Sequence, residues 1–196
     1  MEWLLAVTGF ALTMSITPGP NNIMVTASAA NFGVARSVPH IMGISIGFPG
    51  MLLALGLGPG QLLIAYPQAH LGLKIAGATY LVYLAWKIAT ASGTGEGRSR
   101  GRPLTFLQAA LFQWLNPKAW VIALGALTAY TTVGGDVMHE TLVIAAIFVP
   151  TCVLALVVWA VGGVALRQVL QSPAALRIFN AVMALLLLAT LVPMLM

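Results

Sequence analysis

Six apolar segments, separated by short connectors, restrict the fold of this chain more than any other feature of its sequence. Each segment is long enough for a helix of about 20 residues to cross the hydrocarbon core of a bilayer. Only 7% of the residues are charged, whereas soluble domains contain about 25%. The strand alternation that a membrane β-barrel needs is not seen in the sequence. The sequence therefore predicts an all-α integral membrane protein with six transmembrane helices, at approximately 3–29, 39–61, 67–90, 104–131, 141–166 and 174–195.

The positions of the arginines predict how the six helices are oriented. The connectors after the first, third and fifth segments contain or adjoin six arginines: Arg36, Arg98, Arg100, Arg102, Arg167 and Arg177. The connectors around 62–66 and 132–140 contain neither lysine nor arginine. Because basic loops stay in the cytoplasm, both termini are predicted to lie outside it. The net charge of +5 then reflects membrane orientation, and no nucleic-acid partner is predicted.

Interruptions in two of the segments predict an internal repeat. Three helices in each half is an odd number, so the second half enters the membrane from the opposite side. The first helix is interrupted at Pro18–Asn21 and the fourth at Asn116–Lys118. We therefore expect one transporter domain of two inverted three-helix repeats, about 1–91 and 104–196, joined by a cytoplasmic connector at 92–103. Chance is the alternative, because the chain has eleven prolines and membrane helices tolerate them.

The residues at the two interruptions form the predicted substrate site. Proline cannot donate a backbone hydrogen bond, so it frees a carbonyl one turn earlier, which can accept from an ammonium group. The N-terminus of a half-helix attracts a carboxylate. Together these groups suit a zwitterion, although each asparagine could simply cap the broken backbone instead. The predicted substrate-binding residues are Pro18, Gly19, Pro20, Asn21, Asn22, Gln113, Asn116, Pro117 and Lys118.

Lys118 is the only charged residue deep within a predicted span. It lies about 21 Å along a helix from Leu104, near the middle of the membrane. Ionisable residues at that depth usually face a bundle interior or a watery cavity. Lys118 is a candidate to pair with a substrate carboxylate or to couple protons, and the alternative is a structural lysine bonded to freed carbonyls. His40, which opens the second segment, is the other proton-coupling candidate, or an interfacial histidine with no such role.

Neither a catalytic site nor a metal or cofactor site is predicted. The histidines are scattered and the four acidic residues lie at the edges of the spans, so a membrane enzyme is the least favoured function. A membrane scaffold or lipid-interacting protein is the alternative to a transporter. Gly43 and Gly47 are spaced for close helix packing, within one chain or between copies, so a homo-oligomer is a further possibility. Membrane lipids are expected partners.

Four motifs resemble those of the LysE/RhtB superfamily of amino-acid exporters. They are Thr17–Asn22, Gly43–Gly47, Gly77–Leu81 with Leu84–Lys87, and Gln113–Ala119. The stretch Tyr80–Ala91 is most similar to the cysteine/O-acetylserine exporter branch. The resemblance implies a secondary transporter of the bacterial inner membrane. It would export small neutral amino acids or derivatives, such as cysteine, O-acetylserine or threonine- and homoserine-like compounds, driven by an ion gradient.

The sequence departs from the family pattern in the second segment. Many relatives carry an acidic residue beside the glycine pair there, whereas in this chain Phe48 follows Gly47. A carboxylate proton relay is therefore absent. If transport is proton-coupled, Lys118, His40 or the substrate must carry the proton, and uniport or exchange is the alternative. The lack of deep acids also argues against a cationic substrate, whose extra charge would need a partner.

Overall fold

The computed structural model describes residues 1–56, 58, 67–91, 102–132, 135–169 and 172–192 of the chain. In this part of the chain the regular structure is entirely helical, which confirms the predicted all-α class. The described helices are α1 (Glu2–Ile16), α2 (Pro20–Phe32), α3 (Val34–Gly56), α4 (Pro67–Ala89), α5 (Phe106–Phe112), a 3-10 turn (Gln113–Leu115), α6 (Pro117–Tyr130), α7 (Val137–Val169) and α8 (Pro173–Ala189).

Two of the described helices are long and apolar enough to cross a membrane on their own. They are α3 and the Val137–Gln168 part of α7, and the remaining apolar helical stretches are shorter. Helix α3 begins before the predicted boundary at Pro39, so Arg36 lies in its first turn and not in a connector. Pro39, Pro49 and Pro150 all lie inside helices, as membrane helices allow when neighbouring groups satisfy the freed carbonyls.

The α1–α2 and α5–α6 interruptions are built in the same way. Thr17, Gly19 and Asn116 each precede a proline and each have an extended backbone, because the proline ring disfavours helical geometry at the residue before it. Pro20 and Pro117 then occupy the first turn of α2 and α6. Backbone N–H groups in the first turn of a helix have no acceptor within that helix. Proline, which lacks an N–H, can therefore start the helix without losing a hydrogen bond.

Helix α7 lies at the centre of the packing. It contacts α1, α2 and α3, while α3 also packs on α5 and α4 packs on α8. Apolar side chains form two clusters. One joins α2, α4, α5 and α8 through residues that include Val25, Leu81, Phe112 and Leu187. The other joins α1, α3, α6 and α7 through Val7, Leu52, Ala123 and Phe148. Helices α1 and α2 therefore pack directly on α7, whereas α5 packs on α3.

Glycines allow the closest helix crossings. A Cβ atom on Gly43 would overlap Phe106 O, and one on Gly47 would overlap Ala110 Cα, so α3 and α5 approach backbone to backbone. A Cβ on Gly163 would likewise overlap the Thr26 carbonyl, where α7 crosses α2. Small residues allow such close approach in membrane helices, where van der Waals packing drives association.

Replacing Gly43 with alanine is expected to destabilise the protein. The added methyl would meet the backbone of Phe106, which cannot yield as a side chain can, and overpacking of this kind costs about 1–3 kcal/mol. The matched control is Gly50→Ala on the same helix, where a Cβ meets nothing within 4 Å. Thermal unfolding of the purified variants measures the difference, and equal melting temperatures for the two would contradict the close crossing.

Candidate functional site

The side chain of Lys118 joins the two interruptions. Its Nζ, at the start of α6, donates hydrogen bonds to the carbonyl of Thr17 and to that of Pro18, the latter at 3.4 Å. Both acceptors lie in the α1–α2 connector. A Cβ on Gly19 would stand 2.6 Å from Lys118 Cδ. The lysine side chain can therefore lie across this position because glycine has no side chain. The structure thus brings together residues that are about a hundred positions apart in the sequence.

A pair of amides also links the two interruptions. Asn21 Nδ2 donates to Gln113 Oε1 at 2.8 Å, and Gln113 Nε2 donates back to Asn21 Oδ1 at 3.2 Å. Gln113 is fully buried, and its Nε2 also donates to Ala109 O at 2.9 Å. A buried amide whose bonds are satisfied in this way fixes the distance between its two helices.

Two of the predicted asparagines cap broken backbone. Asn22 Nδ2 lies 3.0 Å from Ser15 O and Thr17 O and 3.4 Å from Ile16 O, where α1 ends and its last carbonyls have no helical partners. Asn116 Oδ1 accepts from the backbone N–H of Lys118 at 3.1 Å, as an N-cap of α6. Capping is therefore a role that the geometry shows for both residues.

A cavity lies beside these groups, and we call it the central cavity. Six of the predicted site residues line it: Gly19, Asn21, Asn22, Gln113, Asn116 and Lys118. The prolines Pro18, Pro20 and Pro117 are not among its lining residues. The rest of the wall is Met14, Ser15, Ile44, Phe48, Ala119, Ile122, Phe148, Cys152 and Leu156.

Several lining residues were missed by reasoning from the sequence. Phe48 and Phe148 come from α3 and α7, where their rings pack edge to face with centroids 4.9 Å apart. Each stands close before an internal proline, and Phe48 also stands at the position where many relatives carry an acidic residue. Cys152 is buried, and its Sγ lies 3.5 Å from Ser15 Oγ. The sequence pattern of these residues is the same as that of ordinary apolar core.

The central cavity is small. Its volume is about 40 Å³, and a single water needs roughly 10–15 Å³ by the same measure. It therefore has room for a few waters or a few ligand atoms, and a whole amino acid would require the walls to separate. One side of the cavity carries a cation and amides, and the other side is apolar.

The two proton-coupling candidates lie in different cavities. His40 is absent from the lining of the central cavity and lines a second one, which we call the His40 cavity, together with Lys87 and Arg102. His40 lies in the second turn of α3 and is only 1% exposed. Among the described residues, no group of three or more His, Cys, Asp or Glu side chains could hold a metal ion.

The sequence profile described as LysE type translocator matches residues 12–193 of the chain. The chain belongs to this family. Its relatives include the cysteine/O-acetylserine efflux proteins of Escherichia coli strain K12, Shigella sonnei and Shigella flexneri. Each is 32% identical over 179 residues, which are 91% of this chain and 90% of the relative. No solved structure gives a significant match.

Membership in a translocator family decides the class of protein. The chain is a transporter and not an enzyme, as its sequence predicted, and a multi-pass protein of the bacterial inner membrane. The resemblance to the LysE/RhtB superfamily, and to its cysteine/O-acetylserine branch, is confirmed. The motifs that carried it, Thr17–Asn22 and Gln113–Ala119, are the two segments that meet at the central cavity.

Proposed function

We propose that this protein is a secondary transporter that exports small neutral amino acids or derivatives, cysteine and O-acetylserine among them, by alternating access. Amino-acid export rests on the family and on the efflux relatives. The choice of a small zwitterion rests on one observation. A single ammonium and neutral amides line one small cavity between the α1–α2 and α5–α6 interruptions, and that ammonium donates to two backbone carbonyls of the α1–α2 connector.

The groups at the central cavity match the two charges of an amino acid. The ammonium of Lys118 pairs with the substrate carboxylate, and the carbonyls of Thr17 and Pro18 accept from the substrate ammonium. In the structure Lys118 occupies those same carbonyls. Substrate binding is then an exchange of partners. The Lys118 ammonium leaves the two carbonyls and pairs with the substrate carboxylate. The substrate ammonium takes its place on the carbonyls, so each charged group keeps a partner.

The opposite wall selects the substrate side chain. Phe48, Ile122, Phe148 and Leu156 make it apolar, and Cys152 adds a small polarisable group. The described lining contains no acidic residue. A cationic side chain such as that of lysine would therefore be buried without a partner, at a large cost in free energy. Cysteine and O-acetylserine have side chains that such a wall accommodates without charge.

The six-helix inverted repeat is part of the same proposal. The pair α1–α2 forms one interrupted spanning segment, and α5, the 3-10 turn and α6 form another. With α3 and α4 in the first half and α7 and α8 in the second, each half has three spans. In both interruptions a residue with an extended backbone precedes a proline that starts the next helix, which supports this arrangement. The arginine distribution supports termini outside the cytoplasm. Paired interruptions at a repeat interface are typical of transporter sites.

The bonds between the two halves support the proposal of alternating access. The Asn21–Gln113 pair and the Lys118 contact both cross from the first half to the second. Rocking of one half on the other would open the central cavity to one side of the membrane and then the other. Lys118 and His40 are the residues proposed for proton coupling, because no described acidic residue lines either cavity.

Counterflow in proteoliposomes tests the proposed function. Vesicles loaded with an unlabelled amino acid are diluted into medium that contains a labelled one, and accumulation of label reports exchange. We expect saturable exchange of cysteine and O-acetylserine and none of lysine. Protein-free vesicles are the control. Folded protein that exchanges no amino acid would contradict the proposal and favour a non-transporting scaffold. Exchange of lysine as well would contradict the zwitterion site.

A further inference from the structure

The His40 cavity has a buried imidazole in its wall with no hydrogen-bond partner. His40 is 1% exposed, and neither Nδ1 nor Nε2 has a partner within the described part of the chain. A buried polar group without a partner costs free energy. Such groups in native proteins are usually explained by a ligand, a water or a functional role. The cavity beside it has a volume of about 50 Å³, which leaves room for a few ligand atoms.

Two cations share this cavity. Lys87, half-buried near the end of α4, and Arg102, exposed just before α5, both line it. Over the described residues, neither side chain has an ion pair or a hydrogen bond, and the nearest partner of Lys87 Nζ is the ring of Tyr83 at 5.9 Å. Three donor groups thus converge with no described anion between them.

The other polar groups in the wall are already satisfied. Asn31 and Asn180 form a buried reciprocal amide pair at 2.7 and 3.0 Å, and Asn180 also donates to Ala91 O at 2.8 Å. Ser28 is bonded to Ser37 at 2.9 Å. These contacts hold α2, α3, α4 and α8 around the cavity. The groups left for a ligand are therefore His40, Lys87 and Arg102, all of which can donate to an anion.

Helix α2 connects this cavity with the central one. Asn21 and Asn22 line the central cavity, whereas Met24, Ser28 and Asn31 line the His40 cavity. Ser28 follows Asn22 by six residues, which is about 9 Å along a helix. The two cavities therefore lie one after the other along the same helix.

We propose that His40, Lys87 and Arg102 form a carboxylate-binding site, at which the substrate amino acid binds on the cytoplasmic side before it enters the central cavity. The guanidinium of Arg102 and the ammonium of Lys87 attract the carboxylate, and the imidazole of His40 donates to it at the inner end. Hydrogen bonds between charged groups are about twice as strong as neutral ones. That the bound carboxylate belongs to the substrate rests on the proposed export function. The existence of a carboxylate-binding site does not depend on that function.

The depth of the site favours a free amino acid over a lipid headgroup. Arg102 is exposed and could contact lipid phosphate, but His40 is buried between α3 and its neighbours. A small free carboxylate can enter a cavity of this size, and a phosphate that is tethered to two acyl chains at the surface cannot follow it.

The histidines of the chain give a direct probe of binding. There are three in total, so the imidazole NMR signals of protein labelled at histidine can be assigned with His40→Gln. Sodium acetate, a carboxylate alone, is titrated against sodium chloride at equal ionic strength. We expect acetate and O-acetylserine to shift the His40 signals saturably, and cysteamine, which lacks the carboxylate, to leave them unchanged.

Matched variants separate this site from the central one. Lys87→Gln with Arg102→Gln is expected to raise the acetate Kd measured at His40 at least tenfold. Arg36→Gln, which removes an exposed charge from the first turn of α3, should leave that Kd unchanged. Lys118→Ala should also leave it unchanged, even if counterflow is lost. A failure of counterflow in wild type would therefore leave this binding result standing.

Two outcomes would overturn the proposal. One is a His40 signal that responds to acetate no more than to chloride in folded protein. The other is a signal that responds to phosphatidylglycerol in nanodiscs and not to acetate, since that would assign the cations to lipid headgroups.

Discussion

Lys118→Ala is expected to reduce counterflow to the level of protein-free vesicles. Among the described residues, Lys118 is the one cation that lines the central cavity, and the variant loses it. A hydrogen bond to a charged group contributes about 1.5–3 kcal/mol. Substrate binding should weaken by roughly 10- to 100-fold. Counterflow measures transport, and the thermal stabilisation that saturating O-acetylserine gives the purified protein measures binding.

The controls for this prediction separate binding from structure. Arg177→Ala removes an exposed charge far along the chain, on α8, and should transport as the wild type does. Lys118→Arg keeps the charge and should retain part of the activity. If Lys118→Ala exchanges amino acids at the wild-type rate, Lys118 serves only to satisfy the carbonyls of Thr17 and Pro18. If it loses thermal stability and binding in equal measure, the structural role also explains the result.

Asn22→Leu is expected to destabilise the protein. Its amide nitrogen lies within bonding distance of three carbonyls at the end of α1, those of Ser15, Ile16 and Thr17. Leucine has a similar size but donates nothing, and a buried acceptor left unsatisfied costs about 1–3 kcal/mol. Thr17 O still accepts from Lys118 Nζ and Ile16 O from Trp159 Nε1, so only Ser15 O loses its described partner. We expect a loss of about 1–3 kcal/mol, measured by thermal unfolding.

Thr13→Val on α1 is the matched control for Asn22→Leu. The Thr13 hydroxyl is exposed and bonds only to Gly9 O within its own helix. Surface substitutions of this kind change stability by about 0.5 kcal/mol or less. A melting temperature of Asn22→Leu within the range of Thr13→Val would show that water or a neighbour satisfies the carbonyls instead. The capping role of Asn22 would then be wrong.

The composition and the motifs of the sequence were enough to predict the class of protein. A chain with so few charges and six long apolar segments has no soluble fold that could bury its surface, so a helical membrane protein follows. The effect of proline is also local, because it restricts the backbone conformation of its own residue and of the one before it. The six lining residues of the central cavity that were predicted from the sequence come from the motifs Thr17–Asn22 and Gln113–Ala119.

Helix boundaries were less predictable than helices. Pro39 was a plausible start for the second segment, yet α3 begins at Val34 and continues through two prolines. The sequence shows the proline but not the neighbours that satisfy the carbonyl it frees. The prediction around 62–66 and much of the connector at 92–103 lie outside the described residues.

The residues that complete each cavity were decided by tertiary structure alone. Phe48, Phe148 and Cys152 come from helices that the sequence separates widely, and an apolar residue looks the same in a sequence whether it faces lipid, core or substrate. His40 and Lys118 looked alike as candidates, but packing put them in different cavities. Local chemistry, such as where a helix must break or which residue carries a charge, is present in the sequence because it acts over a few neighbouring residues. Which of those groups meet depends on the packing of whole helices, and that is fixed only by the complete fold.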